Sequence, residues 1–565
     1  MLPMEMRWVE PEICDRAVLR RLAGDAGLPV SLAAVLARRG LLPGEGLEDF
    51  LDPRLSSLSA PEELAGAAGA AGILDEALRR KRRIVLYGDY DVDGVASLAF
   101  FSRVLRALGG EVACFLPTRS EEGYGLTADG ISRCCEETRP DLLVAVDCGT
   151  NSVAEIAWLA GRGIPALVLD HHEPQAQRPA APVVNPKLGG GPLRDLCSAG
   201  VVFKVLHALL KRSPAVAVDL RDYLDLVALA TIADMVPLRG ENRILVRRGL
   251  WQLARTRWPG LRALMDSAAV PPVPRGQDIG FRLGPRINAS GRLGSARDSL
   301  ELLTTNNLRA AQAAAARLEC RNRERQAVER AVAGEAETWI EEHFNPSRHA
   351  TIVAGGRNWH QGVLGIVAAR LMRRHHRPTI VVGFDEEGHG RGSGRSVDGF
   401  SLVEALTVCG ALLDAYGGHE LAAGLSVHES RFEEFRDSFE LFAATRRDQA
   451  WMTPSLHLDG ELDLDEVTPD FLNAQERLEP FGNGNNQPVF FARGLSPAAE
   501  PRIYKEKHLG LRFRSRAGVL SGIAFQGADI DLPRPPWDLA FRVERNTYQG
   551  RDEPQLHVVA IRAAA

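Results

Sequence analysis

Three short runs of apolar, largely β-branched residues in this chain each stop at acids or histidines. IVLYG (84–88) is followed by Asp89, Asp91 and Asp93, LLVAV (142–146) by Asp147, and ALVL (166–169) by Asp170, His171 and His172. A further acid, Asp234, closes the apolar run VALATIA. If the segment from Asp89 to Asp93 stays extended, its three carboxylates project to one side at two-residue spacing. Carboxylates crowded into one crevice repel one another unless cations compensate. An oxygen-rich set with one or two imidazoles suits Mn²⁺ or Mg²⁺ better than a zinc thiolate site does. Two divalent ions are the natural complement. A pair about 3.5–4 Å apart activates a water and stabilises the leaving oxygen of an in-line displacement at phosphorus, which is phosphoester hydrolysis. Each piece alone has a plainer reading. A single Asp after a strand is commonly a helix N-cap, and DYDVDG could be a calcium loop, although it lacks the Glu that an EF-hand supplies at its twelfth position. The coincidence at three strand ends favours the metal centre.

Such groups converge when their strands lie in one open parallel sheet, because the carboxyl ends then share an edge and ligands bind in the crevice there. From Arg82 onward, β-branched runs alternate with amphipathic stretches: IVLYG, VASLAFFSRVLRALG, DLLVAVD, VAEIAWLAGRG, IPALVLD. That alternation predicts a parallel sheet with helices on both faces. Between Asn306 and Phe344 there is no Pro and one Gly, which predicts one long helix of roughly 50 Å at 1.5 Å per residue, a strut between domains. A second α/β texture follows (ATIVAGG, QGVLGIVAARLMRR, PTIVVGF), with the Gly-rich loop GHGRGSGRS. After Pro454 five or six short strands predict a small β-barrel, with the OB fold as first expectation. The expected organisation is an N-terminal cap segment over 1–75, a catalytic α/β domain over 76–300, a connecting helix over 301–344, a smaller α/β domain over 345–450 and the barrel over 451–565.

With 565 residues, 45% hydrophobic and 25% charged, the chain has room for several domains. Sixty-eight basic against seventy-three acidic residues give a net charge of −5, so bulk positive charge does not bind nucleic acid here and any polyanion site is local. EPRIYKEKHLGLRFRSR (500–516) is one such candidate, with Tyr504 and Phe513 interleaved among basic residues in the texture of single-strand binding. Eight cysteines without a C-x-x-C fit reduced thiols. No signal peptide and no membrane span are expected, which places the chain as soluble and cytoplasmic.

The segments GDYDVDG (88–94), VDCG (146–149), DHH (170–172) and ATIADMVPL (230–238) resemble, in order, the four motifs of the DHH phosphoesterase superfamily. LPTRSEEGYGL (116–126), LGPRINASGRLGSA (283–296), NWHQGVLGIVAARL (358–371), GSGRSVDGFSL (392–402), YGGHELAAG (416–424) and LEPFGNGNNQP (478–488) narrow the resemblance to its RecJ branch, the single-strand-specific DNA exonucleases. The resemblance implies an α/β fold: a parallel-sheet DHH domain and a smaller DHHA1-type domain joined by the long helix, plus a C-terminal OB-like β-barrel.

It also implies the site. Asp91, Asp93, Asp147, His171 and Asp234 become the ligands of two Mn²⁺ or Mg²⁺ ions, with Asp93 and Asp147 bridging and Asp89 supporting. His172 contacts the scissile phosphate or orients water, and Asp170 holds an imidazole in the right tautomer. Arg119, Arg286 and Arg292, with Asn288, read phosphate near the crevice, and Tyr124 stacks or wedges. In the second α/β domain Ser393, Arg395, Gly418 and His419 clamp the strand backbone, and His360 is a weaker candidate with a cap histidine as its plainer reading. The implied activity is metal-dependent 5′→3′ hydrolysis of single-stranded DNA by a monomer, with a single-strand-binding protein and a helicase as possible partners and no membrane. Two other functions compete: a small-substrate DHH phosphoesterase such as an oligoribonuclease or cyclic-dinucleotide hydrolase, against which the barrel speaks, and a non-catalytic replication scaffold, whose motif acids would be eroded.

Overall fold

The structure, a computed structural model, describes residues 6–44, 46–118, 122–123, 125–212, 218–447, 450–516 and 518–564. By internal packing the chain divides into two units. One comprises Pro43–Arg323 and Glu476–Gln487, the other Met1–Leu42, Glu324–Gln475 and Pro488–Ala565. Among the described residues no helix is long and apolar enough to cross a membrane, and the eight cysteines are free thiols.

The first unit is built on a five-stranded, all-parallel sheet. Its strands are β1 (Arg83–Gly88), β2 (Glu111–Phe115), β3 (Leu142–Val146), β4 (Ala166–Leu169) and β5 (Val183–Val184), and their spatial order is β2-β1-β3-β4-β5. β1 and β3 are buried along almost their whole length, as strands covered on both faces must be. Helix α1 (Val92–Ala107) follows β1, and α2 (Ser198–Arg212) and α3 (Leu224–Ala233) complete the same apolar core. The strand order reverses direction between β1 and β3, so the crevice beyond their carboxyl ends is the topological switch point where such sheets bind ligands.

The Ala/Gly-rich stretch that precedes β1 has a packing role. Helix Ala67–Arg79 buries Ala67, Ala70, Ala71, Leu74 and Ala77 against α2, and small side chains let two helices approach closely. Nearby, Lys204 and Glu241 form a buried pair at 2.7 Å, with Lys204 Nζ also donating to the Ser59 carbonyl at 2.8 Å. A buried pair removed on one side leaves an uncompensated charge, so Ser59 and its neighbours are firmly held to this unit.

The long helix, α4, runs Leu308–His343. Ala311, Ala314, Ala315 and Leu318 bury in the core of the first unit, and Val332, Ala333, Ala336 and Ile340 in a cluster of the second. The second unit holds a five-stranded mixed sheet of Ile352–Arg357, Thr379–Phe384, His389–Arg395, Ala415–Gly418 and Ala422–His428. Here the structure corrects an expectation. GHGRGSGRS is not a loop: His389–Arg395 is an interior strand paired antiparallel to both Thr379–Phe384 and Ala422–His428. Its alternate glycines face bulky neighbours, Gly390 meeting Phe384, Gly392 meeting Val382 and Leu425, Gly394 meeting Ile380 and Leu402. Period-two glycine is thus the imprint of crowding on one face of the strand.

Among the described residues the C-terminal sheet has seven strands, more than the five or six expected, because Arg502–Tyr504 is too short to stand out in the sequence. Phe513 is buried in this sheet and cannot stack on a base. The alternation LRFRS places Phe513 inward and Arg512 and Arg514 outward. Exposed aromatic surface is supplied by Tyr504, whose ring lies over Gly510, and by Phe525, packed edge-on to His508 and His557. The N-terminal strand Arg7–Val9 pairs in parallel with Ser455–His457.

Candidate active site

The GDYDVDG segment does not stay extended. Asp89 directly follows β1, and α1 begins already at Val92, with Asp91 as its N-cap: the Gly94 N–H donates to Asp91 Oδ1 at 3.0 Å. Asp93 therefore sits in the first helical turn, and the three acids converge by helical winding rather than by strand alternation. Gly94 makes the fit possible, since a Cβ there would lie 2.8 Å from the backbone N and C of Asp89 and closer still to its carbonyl oxygen.

Asp93 is gripped on both oxygens. Oδ2 accepts from the Ser198 N–H at 2.7 Å, and Oδ1 from the Ala199 N–H at 2.9 Å and from Ser97 Oγ at 3.2 Å. These two N–H groups open α2, where the helix dipole favours an anion. Ser198 Oγ also donates to Asp147 Oδ1 at 2.8 Å. Asp147 itself adopts φ +63°, a conformation uncommon outside glycine and found where function over-determines the backbone.

The DHH triplet divides its labour. Asp170 Oδ1 accepts from the His171 N–H (2.7 Å), the His172 N–H (3.1 Å) and His172 Nδ1 (2.7 Å), while Oδ2 accepts from the Thr150 N–H at 2.9 Å. Its lone pairs are spent on orienting neighbours. His171 Nε2 faces Asp147 Oδ1 at 3.4 Å, Asp234 Oδ2 at 3.5 Å and Asp93 Oδ2 at 3.9 Å. Neither His171 Nε2 nor Asp234 Oδ2 has a hydrogen-bond partner among the described residues, though both are buried.

The ligand-type atoms form overlapping groups, each within 4.8 Å: Asp93, His171 and Asp234 in one, Asp89, Asp91 and Asp147 in another, and Asp147, His171 and His172 in a third. Burial, followed by mutual repulsion, raises the carboxyls of Asp93, Asp147 and Asp234 above the usual range. Burial, reinforced by the neighbouring His172, pushes His171 down to about 3, so it is a neutral imidazole suited to ligation. Burial works against charge on His172 as well, but Asp170 and further acids outweigh it and lift His172 to about 9. Burial opposes ionised Asp170 too, yet the hydrogen bonds from His172 and Thr150 hold it well below the carboxylate range. A hard-oxygen cage with one neutral imidazole and orphaned buried acceptors fits two Mn²⁺ or Mg²⁺ ions.

Helix Gly284–Leu293 is seated against this loop, with Gly284 beside Val92 and Ala233 and Gly291 beside Tyr90. It carries Arg286, Asn288 and Arg292. Arg286 is committed to other groups, its Nε donating to Glu319 at 2.7 Å and Nη1 to the Arg282 carbonyl at 2.7 Å. Arg119 and Tyr124 lie outside the described residues. In the second unit His360 Nδ1 accepts from the Gly362 N–H at 3.0 Å, capping helix Gln361–His375, which is its plainer reading. Ser393 Oγ accepts from Arg395 at 3.1 Å, and Gly418 ends strand Ala415–Gly418 with His419 directly after it, both exposed. Sequence reasoning missed Ser198, Ala199, Ser97, Thr150 and Asn185, the last donating to Thr150 Oγ1 and to the His172 carbonyl, each at 2.9 Å. A Ser opening the apolar run AGVVFKVL was a legible helix start. That its N–H groups would face Asp93 was not.

Three stretches match family models: residues 83–231 the N-terminal domain of the DHH family, 349–445 the DHHA1 domain and 458–560 the RecJ OB domain. The chain is 35% identical over 518 residues to the single-stranded-DNA-specific exonuclease RecJ of Thermus thermophilus, covering 91% of this chain and 73% of that one. It is 34% identical over 569 residues to the RecJ exonuclease of Dickeya dadantii, covering 95% and 97%. Its fold is similar to the crystal structure of Thermus thermophilus RecJ in complex with Mn²⁺, with a TM-score of 0.86 and 32% identity over 99% of this chain and 80% of that one. The Mg²⁺ complex gives 0.81 and 30%, covering 99% and 79%.

Proposed function

From the premise that this chain belongs to the RecJ family of single-stranded-DNA-specific exonucleases, we propose that it hydrolyses single-stranded DNA from the 5′ end to mononucleotides at the crevice beyond β1, β3 and β4. The observation that carries the reading is the largely buried group of Asp93, His171 and Asp234 beside that of Asp89, Asp91 and Asp147. Asp91, Asp93, Asp147, His171 and Asp234 would hold two divalent ions, with Asp89 in support. Such a pair supplies an activated water and charge stabilisation of the leaving oxygen.

The protein's own residues do the rest. The α2 N-terminus and Ser97 fix Asp93 so that its carboxylate keeps one orientation. Asp170 accepts the Nδ1 proton of His172, which keeps that ring charged and turned so that its other nitrogen can donate to an anionic phosphate. Asn185 and Thr150 hold the Asp170–His172 unit from behind. Arg292 and Asn288, on the helix seated against Tyr90, read the strand's phosphates. The match of residues 458–560 to the RecJ OB domain weighs against a small-substrate phosphoesterase and supports single-stranded DNA as the bound polymer. A cytoplasmic monomer, fed by a helicase and a single-strand-binding protein, suits a substrate that must first be unwound.

The test is digestion of single strands labelled at the 5′ or the 3′ end, with Mn²⁺, Mg²⁺ or chelator. Early release of the 5′ label, dependent on metal, is expected. Early release of the 3′ label, or equal cleavage of duplex, refutes the assignment.

A further inference from the structure

LEPFGNGNNQP, at 478–488, stands in the sequence between helix Pro469–Glu476 and strand Phe490–Leu495 of the C-terminal region, yet residues Glu476–Gln487 pack as part of the first unit. They bind the turn that follows Asp234. Asn483 Nδ2 donates to the Met235 carbonyl at 2.6 Å, and the Leu238 N–H donates to the Asn483 carbonyl at 2.8 Å. Arg239 Nε donates to the Gly484 carbonyl at 2.9 Å. Gly482 and Gly484 lie against Leu238 and Pro237 so closely that a Cβ at Gly482 would meet Leu238 at 2.7 Å. The loop is itself held rigidly, with buried Asn485 donating to the Leu478 carbonyl at 2.9 Å and the Pro480 carbonyl at 2.8 Å.

A second asparagine holds the same turn from inside. Asn242, 2% exposed, donates to the Pro237 carbonyl at 3.0 Å and to the Asp195 carbonyl at 2.6 Å. Asp195 stands just before Ser198 and Ala199, whose N–H groups grip Asp93. The turn needs such support because Met235 adopts φ +61°, which costs a non-glycine residue conformational energy unless its surroundings enforce it.

We propose that Asn242 and Asn483 are positioning residues that clamp the Met235–Leu238 turn and so set Asp234 against Asp93 and His171 for metal binding. The proposal rests on Asp234 being a metal ligand. Among the described residues neither asparagine hydrogen-bonds a ligand atom; each donates to backbone carbonyls and so acts through the backbone.

The experiment is calorimetric titration of Mn²⁺ into metal-free full-length protein, with thermal transitions recorded in parallel. Asn483→Ala and Asn483→Asp, both lacking the donor, should weaken Mn²⁺ binding by about three- to tenfold, and Asn242→Ala by more, as expected for outer contacts that orient a ligand. Arg275→Ala serves as control. It breaks ion pairs to Glu476 at 2.7 Å and Glu479 at 3.3 Å, loosening the same segment away from the turn, and should lower Tm without moving the Mn²⁺ isotherm. Should Asn242→Ala fail to fold, the exposed Asn483 variants decide. Wild-type Mn²⁺ affinity in both Asn483 variants, or an equal shift in Arg275→Ala, overturns the clamp. Asp234→Asn separates the two readings: if it leaves Mn²⁺ binding intact, the ligand assignment has failed, whereas lost binding there with unaltered Asn483 variants means that only the clamp has.

Discussion

Replacing Gly94 with Ala adds one methyl group at the point where the loop carrying Asp89, Asp91 and Asp93 folds back on itself. The Cβ would sit 2.8 Å from the Asp89 backbone N and C, whereas carbon atoms settle at about 3.5–4.0 Å. The first turn of α1 must therefore move away from Asp89 by about 0.7 to 1.2 Å, because the obstacle is backbone and no rotamer relieves it. Asp91 and Asp93 ride on that turn, and a misplacement of about 1 Å in a catalytic constellation costs on the order of a hundredfold. Overpacking itself destabilises by about 1–3 kcal/mol. The expected result is a folded protein with a modestly lower Tm, a weaker Mn²⁺ isotherm and kcat/KM on 5′-labelled single strands reduced about a hundredfold. Gly334→Ala is the matched control: it lies in α4 with open space around its Cβ and should stabilise the helix by about 0.5–1 kcal/mol with activity unchanged. Gly94→Ala with wild-type metal affinity and kcat/KM would refute the view that this glycine exists for close backbone approach.

Arg292→Ala should cost about ten- to a hundredfold in kcat/KM on 5′-phosphorylated strands and less on 5′-hydroxyl strands, as loss of a charge-assisted bond implies. Arg286→Ala, whose guanidinium already serves Glu319, should lower Tm and affect both ends alike. A reversed pattern between the two reassigns them. Phe525→Ala should raise KM for long strands about tenfold, in line with lost base stacking, and leave very short oligonucleotides unaffected, so equal losses at both lengths disprove a stacking role. Deleting residues 451–565 is the poorer test, since it also strips residues 476–487 from the first unit. Burial raises the fully buried Asp225 to about 6, against hydrogen bonds from Thr256 and the Leu226 N–H. A raised folded value means that its contribution is present below about pH 3.8 and lost as pH climbs through about 6. Asp225→Asn should therefore gain stability over wild type at pH 7–8, by at most about 3 kcal/mol, and lose that advantage by pH 4. A pH-independent difference in denaturation midpoint contradicts this.

Much of the candidate site was legible before any fold. Acids at the ends of three apolar runs need only one rule, that parallel strands share a carboxyl edge, and β1, β3 and β4 obey it. The long helix was equally plain, since nothing between Asn306 and Phe344 interrupts it. What failed were inferences from local texture whose outcome depends on neighbours. The carboxylates of GDYDVDG converge through an N-cap and a helical turn, because Asp91 accepts from the Gly94 N–H and the helix starts at Val92. GHGRGSGRS looks like a loop but is an interior strand, because its glycines answer to Phe384, Leu425 and Leu402, distant in sequence. Phe513 looked like a stacking residue and is core, since register decides which face an alternating strand buries. The grip of α2 on Asp93 and the clamp of Asn483 on the turn after Asp234 join segments about a hundred and about 250 residues apart. Hydrogen bonds of that range carry no periodicity or spacing along the chain. They exist only once packing has brought a backbone N–H or carbonyl to within 3 Å of its partner, so the residues that could do the chemistry were written locally and their alignment was decided by the tertiary fold.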